Sequence, residues 1–289
     1  MMREIAVCFD CQGQSLLGVM HEPAMPARDI IVVIVVGGPQ YRVGSHRQFV
    51  LMARRFAAAG YPVLRFDYRG MGDSDGEPQG FEYVDDDIGA AIDAATNLSP
   101  GARGVVLFGL CDAASALLMY ASKDDARVLG MLLANPWVRS PAGEAKAYIR
   151  HYYGRRLLQR SFWSKVISGQ ASGFASLRSF LALWRRARLD GPGVDDTIRT
   201  SASFIERMAD GFARMRRPIL ILLSERDLTA HEFEECCGTS ARWAVLTRRS
   251  NVQLAPVSGA DHTFSGAQSL QAAVDTSIAW LDSSVHGQV

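Results

Sequence analysis

Three residues able to cooperate in acyl chemistry occur along the chain in the order Cys111, Asp227, His262. Cys111 stands in Val105-Val106-Leu107-Phe108-Gly109-Leu110-Cys111-Asp112-Ala113-Ala114-Ser115. That segment reads as a buried strand, a sharp turn carrying the cysteine, and the start of a helix. A side chain on such a turn projects from the carboxyl end of its strand. The N–H groups that open the helix point at whatever it attacks. A thiolate there can accept an acyl group, but a free thiol is only slightly ionised at neutral pH, so it needs a base. His262, in Ser258-Gly259-Ala260-Asp261-His262-Thr263-Phe264, would have to reach the sulfur with one nitrogen and an acid with the other. Ser224-Glu225-Arg226-Asp227 offers two acids, Glu225 and Asp227.

The elements that must position these residues follow from hydrophobic period. Residues 4–9 and 15–21 read as two strands joined by a turn near Gln12-Gly13. Ile30 to Val36 is seven β-branched residues in succession, the pattern of a strand buried on both faces. Phe49, Met52, Ala53 and Phe56 have helical spacing within 46–59. Strands follow at 61–66, 103–108, 129–134, 218–223 and 252–257, and helices at 82–97, 112–121 and 267–282. Strand–helix alternation at this spacing implies right-handed crossovers and a mostly parallel sheet. From Pro136 to about Met215 the rhythm breaks into a segment rich in Arg, Tyr, Trp and Phe, with helical spacing and no clear strand.

On these segments the chain resembles the α/β-hydrolase superfamily along essentially its whole length. The order nucleophile, acid, histidine is that superfamily's order. Asp67-Tyr68-Arg69-Gly70-Met71-Gly72-Asp73-Ser74 resembles its D-x-R-G-x-G-x-S loop, with Asp67 in a structural role. Gly37-Gly38-Pro39-Gln40-Tyr41-Arg42 and Gly109-Leu110-Cys111-Asp112-Ala113-Ala114 resemble one branch, the first of the two hydrolases associated with the exosortase A (PEP-CTERM) system of bacteria. The resemblance implies an eight-stranded, mostly parallel sheet flanked by helices, with the core in 1–136 and 216–289 and a helical lid inserted at 137–215. It implies a triad of Cys111 as nucleophile, His262 as base and later acid, and Asp227, rather than Glu225, as the orienting acid. The oxyanion donors would be the N–H of Asp112 and, from a loop resembling H-G-G-P with Val36 in place of histidine, the N–H of Gly38. Pro39 cannot donate, so Gln40 is the fallback.

Three departures from the superfamily pattern bear on the chemistry. Cysteine in place of serine favours thioesters, activated esters or lactones over amides, or an acyl transfer. Ala113 replaces the second glycine of G-x-S-x-G and is small enough for the turn to survive. Asp112 brings a carboxylate beside the oxyanion site, where its charge opposes a developing anion. It is also favourable at a helix N-terminus, and the expectation is that its side chain points away from the acyl site.

The implied function is hydrolysis of an ester or thioester through an acyl-cysteine. An acyltransferase using the same triad and a non-catalytic binding protein of the same fold are the alternatives. The exosortase resemblance would place the protein in an envelope or exopolysaccharide pathway.

Composition narrows the class. At 48% hydrophobic, the 289 residues can bury a large core, and disorder is excluded. No stretch approaches the roughly 20 apolar residues of a membrane span, and the first residues lack a signal peptide's apolar run. Five cysteines, an odd and sparse set, fit a reducing cytoplasm. The net charge of +1 hides an asymmetry: residues 139–217 hold 16 Lys+Arg against 6 Asp+Glu, and the remainder 15 against 24. The basic stretch is either a solvated face or a field that draws an anionic substrate or surface. Its aromatics, among them Trp137, Tyr148, Tyr152, Phe162, Trp163 and Trp184, suit helices over an acyl tunnel or ordinary packing. Cys8 and Cys11 have C-x-x-C spacing without a second pair, so zinc is not expected. Cys236 and Cys237 read as two thiols. His46 and His151 are candidates to line a pocket. No metal, nucleotide or flavin is expected, nor a nucleic-acid partner; the expected partner is a small acyl substrate.

Overall fold

The run of β-branched residues forms β3 (Ile30–Val35), whose six side chains are all buried. In the computed structural model, which describes residues 2–24, 27–38, 40–138 and 203–286, β3 lies inside an eight-stranded sheet. The other strands are β1 (Arg3–Cys11), β2 (Gln14–Glu22), β4 (Val63–Phe66), β5 (Gly104–Leu110), β6 (Val128–Ala134), β7 (Ile219–Ser224) and β8 (Val252–Val257). Their order is β1-β2-β4-β3-β5-β6-β7-β8. β1 and β2 pair antiparallel, β2 joins β4 antiparallel, and every pairing from β4 to β8 is parallel.

The strand period of two divides the core into two layers. Ile31, Val33, Val35, Leu107 and Leu133 face one side, against α2 (Asp85–Leu98) and α3 (Asp112–Tyr120). Ile30, Val32, Ile34, Phe108 and Leu132 face the other, against α1 (Gln48–Ala58) and the helix that closes the chain, Ala267–Trp280. The stripe expected on α1 is the buried one: Phe49, Met52, Ala53 and Phe56 are each at most 1% exposed. The closing helix continues as a π-helical turn, Leu281–His286.

The end of the segment expected as an insertion returns to this unit, which comprises Met1–Val138 and Ser203–Val289. Helix α4 (Phe204–Arg214) begins with a capping box, in which the Ser203 hydroxyl accepts from the Glu206 N–H and the Glu206 carboxylate from that of Ser203. It buries Met208, Ala209 and Phe212. A Cβ on Gly211 would run into the carbonyl of Leu118, so glycine lets α4 approach the backbone of α3. Its last carbonyls are held by Arg249, which donates to Phe212 O at 2.7 Å and Met215 O at 2.6 Å. The aromatics from Tyr148 to Trp184 that were expected in a lid, and His151, lie outside the described residues.

Two further helices, α5 (Leu228–Thr239) and α6 (Ala241–Thr247), lie between β7 and β8 and have no counterpart among the elements expected from sequence. Phe233 and Trp243 join them edge to face, 5.7 Å between ring centres. The closing helix is α7. Among the described residues no helix is long and apolar enough to cross a membrane.

Candidate active site

The parallel strands end together on one side of the sheet, where the chemistry-bearing residues of the sequence converge. Cys111 follows β5 with φ 62° and ψ −122°, a conformation that non-glycine residues rarely adopt and that costs about 1–3 kcal/mol. Its surroundings hold it there. The Cys111 N–H donates to Ala134 O at 2.9 Å, and its carbonyl accepts from the N–H groups of Ser115 and Trp137, each at 3.2 Å. A Cβ on Gly109 would lie 2.8 Å from the backbone of Ala113 and Ala114, so strand and helix meet as closely as they do only over glycine. Ala113 occupies the other tight position with no exposure.

His262 follows β8. Its Nδ1 lies 2.8 Å from Asp227 Oδ2, and Cys111, which lines the same cavity, is the second group acting on the imidazole. A carboxylate only accepts, so Nδ1 carries the proton and Nε2 faces the sulfur. The bond to Asp227 first, and Cys111 second, push His262 up to about 10, against the opposing effect of burial. Asp227 is 5% exposed and caps α5, accepting from Thr229 N at 3.1 Å and Ala230 N at 3.3 Å. One carboxylate thus starts a helix and orients the imidazole. Glu225, the rival acid, instead accepts from Gly259 N at 2.6 Å and braces the histidine loop.

Residues that the sequence reading missed hold this loop. Asn135, fully buried after β6 at φ 45°, donates from Nδ2 to Ser224 Oγ at 2.9 Å and to His262 O at 3.1 Å. Its Oδ1 accepts from Ser224 N at 2.8 Å. His46 lines no part of the cavity described below; its Nε2 lies 3.1 Å from both Thr263 O and Thr263 Oγ1. The Asn135-Pro136 step at a strand end was the one local signal for Asn135, while His46, expected as a pocket-lining candidate, instead holds Thr263. Asn135→Ala would strip partners from two buried groups and place alanine at positive φ. It is expected to cost about 3 kcal/mol, read as a fall in the urea midpoint. A cost below about 1 kcal/mol would show that Asn135 does not brace the loop.

Asp112 departs from expectation. Its carboxylate does not point away: Oδ2 accepts from Gly38 N at 2.7 Å and Oδ1 from Ala113 N at 2.9 Å. Gly38 turns at φ 63°, and at Gly37 a Cβ would run into the carboxylate, so the two glycines let the loop after β3 close on Asp112. Burial raises the Asp112 pKa, while the amides of Gly38, Ala113 and Asp112 itself act to lower it. The N–H of Gly38, one of the two expected oxyanion donors, is therefore engaged by a side chain.

A cavity of about 350 Å³ opens over these groups, lined by Cys111, His262 and Asp112 and by Leu110, Phe81 and Trp137. The apolar walls suit an acyl chain, with the polar groups gathered at the sulfur. Asp67 lies apart, accepting from the Arg42 backbone and guanidinium and from Asp73 N at 3.2 Å. Among the described residues no group of three or more His, Cys, Asp or Glu could hold a metal ion.

The profile of the Alpha/beta hydrolase family matches residues 32–274. The chain belongs to the alpha/beta hydrolase family and, with it, to the hydrolases as an enzyme class. The likeness in fold extends to solved structures. The esterase Pf2001 of Pyrococcus furiosus superposes with a TM-score of 0.64 at 16% identity, over 98% of this chain and 92% of that one. Est1E of Butyrivibrio proteoclasticus, solved with ferulic acid, gives 0.63 at 15% identity over 97% and 100%. A dienelactone hydrolase of Anabaena variabilis gives 0.62 at 14% identity over 98% and 99%. In sequence, the human protein ABHD12B is 30% identical over 140 residues, which are 45% of this chain and 38% of that protein. The match thus spans well under half of that relative.

Proposed function

We propose that this hydrolase cleaves an ester or thioester through an acyl-cysteine, with Cys111, His262 and Asp227 as the triad. The observation that carries the reading is the meeting of Cys111, His262 and Asp227 beyond β5, β8 and β7, with His262 Nδ1 2.8 Å from Asp227 and His262 sharing one cavity with Cys111. The imidazolium beside the sulfur favours thiolate attack on the acyl carbon. The carbonyl becomes an oxyanion, held by N–H groups of Asp112 and Gly38. Collapse expels the alcohol or thiol, which takes its proton from His262. The histidine then takes a proton from water, which attacks the acyl-cysteine and releases the acid and Cys111. An amide is a poor substrate, since the thiolate leaves more readily than an amine.

The free state of all five cysteines and the dependence on a thiol support a reducing, cytoplasmic setting. Residues 137–215, apart from the returning helix, are proposed as the lid, and their basic excess supports an anionic acyl substrate or surface as one candidate. The motifs shared with the exosortase-associated branch support a place in an envelope or exopolysaccharide pathway.

Turnover of p-nitrophenyl acyl esters tests the reading. In the steady state, carboxylic acid is expected in step with nitrophenol, whether or not alcohols or amines are added. A new ester or amide formed at the expense of acid would make the protein an acyltransferase, and no nitrophenol from any chain length would leave a binding role.

A further inference from the structure

One of the two amides assigned to the oxyanion site meets a carboxylate. Asp112 accepts from Gly38 N at 2.7 Å. The Ala113 N–H bond at 2.9 Å fixes the carboxylate's second oxygen. Residues 38 and 112 are 74 apart in the chain, so the contact is built by the meeting of the β3 loop with the start of α3. The glycine at 37 clears space for it, since a Cβ there would strike Asp112. An acyl oxygen approaching the Gly38 amide finds it occupied by a group of the charge it is about to acquire.

We propose that the Asp112 carboxylate is a built-in cap on the Gly38 oxyanion donor, which the substrate's carbonyl oxygen must displace before Cys111 attacks. The proposal rests on the acyl-cysteine reading above. The cap gives the Gly38 amide a partner in the resting site, and a weakly bound ester is not attacked. Only a substrate whose remaining contacts hold its carbonyl against Gly38 and Asp112 N would move the carboxylate aside. Asp112 thereby acts as a specificity-determining residue through the oxyanion site, and no proton or electron leaves it.

The test compares two reactions of the same sulfur. Acylation by p-nitrophenyl butyrate forms an oxyanion; alkylation by iodoacetamide displaces iodide and forms none. Any change in thiolate fraction caused by losing a nearby charge enters both rates and cancels in their ratio. In Asp112→Ala and Asp112→Gly, which leave no side-chain acceptor for the Gly38 N–H, the ratio of acylation to alkylation at Cys111 is expected to rise roughly 100- to 1,000-fold, the scale on which a single oxyanion donor acts. Thermal unfolding checks that each variant is folded, and two substitutions guard against one failing. A ratio unchanged or lowered in the folded variants would overturn the cap. Failure of the underlying reading looks different: Cys111 would be alkylated yet acylated in none of the proteins, the parent included.

Discussion

In Cys111→Ala, kcat/KM on an activated acyl ester is expected to fall by roughly 10⁴-fold or more, to what the binding site alone can achieve. The loss follows from the route: without sulfur no acyl-enzyme forms, and His262 has no proton to move at the reacting carbon. The strain at residue 111 supplies a second reading of the same position. Its backbone sits at φ 62°, where any side chain costs free energy and glycine does not. Cys111→Gly is therefore expected to be more stable than Cys111→Ala by about 1 kcal/mol, although both are inactive. Urea midpoints check the order. A Cys111→Ala protein that retained more than about a tenth of the parent rate would remove cysteine from the chemistry.

Asp227→Asn is expected to lower kcat/KM by roughly 10³- to 10⁴-fold. Asparagine still caps α5, so the helix start survives and the charge is what is lost. The variant leaves the imidazole without the partner that fixes its tautomer and favours its charged form. The same substitution carries a pH signature. The folded protein holds His262 at about 10, above its ordinary 6.5, so its stabilising contribution is complete below about 6.5 and is lost as pH rises through 10. Thermal unfolding across that interval should therefore show a decline in the parent that is flattened in Asp227→Asn. Equal slopes in the two proteins would mean that Asp227 does not govern the histidine, and Glu225→Gln would then be the variant to measure.

Much of this arrangement could be read from the chain because each residue of the proposed triad follows a strand. A run such as Ile30–Val35 or Val105–Phe108 marks its strand by composition, and parallel strands end on the same side, so residues just beyond them converge. The stripe on α1 was legible for the same local reason. What was not legible depends on contacts between distant segments. Asn135 matters because β6 and β7 are neighbours, which puts its amide against Ser224, 89 residues away. Asp112 reads as a helix-start acid, and only the β3 loop closing over it turns its carboxylate onto Gly38. Helix α5 lacks a distinct apolar face; of its twelve residues only Thr229, Ala230 and Phe233 are buried. The return of α4 was signalled locally by Ser203-x-x-Glu206, a capping box, but that it packs on α3 depends on Gly211 meeting the Leu118 carbonyl, a contact between distant segments.

The acyl-cysteine is the claim on which the rest depends, and intact-protein mass after a brief mix with a p-nitrophenyl acyl ester tests it most directly. One acyl group added to the parent, located by peptide mapping at Cys111 and absent from Cys111→Ala, is the expected result. It should form with the burst of nitrophenol and decay as acid appears. An adduct that persists unchanged in Cys111→Ala, or nitrophenol released with no adduct at any time by folded, reduced protein, would contradict it.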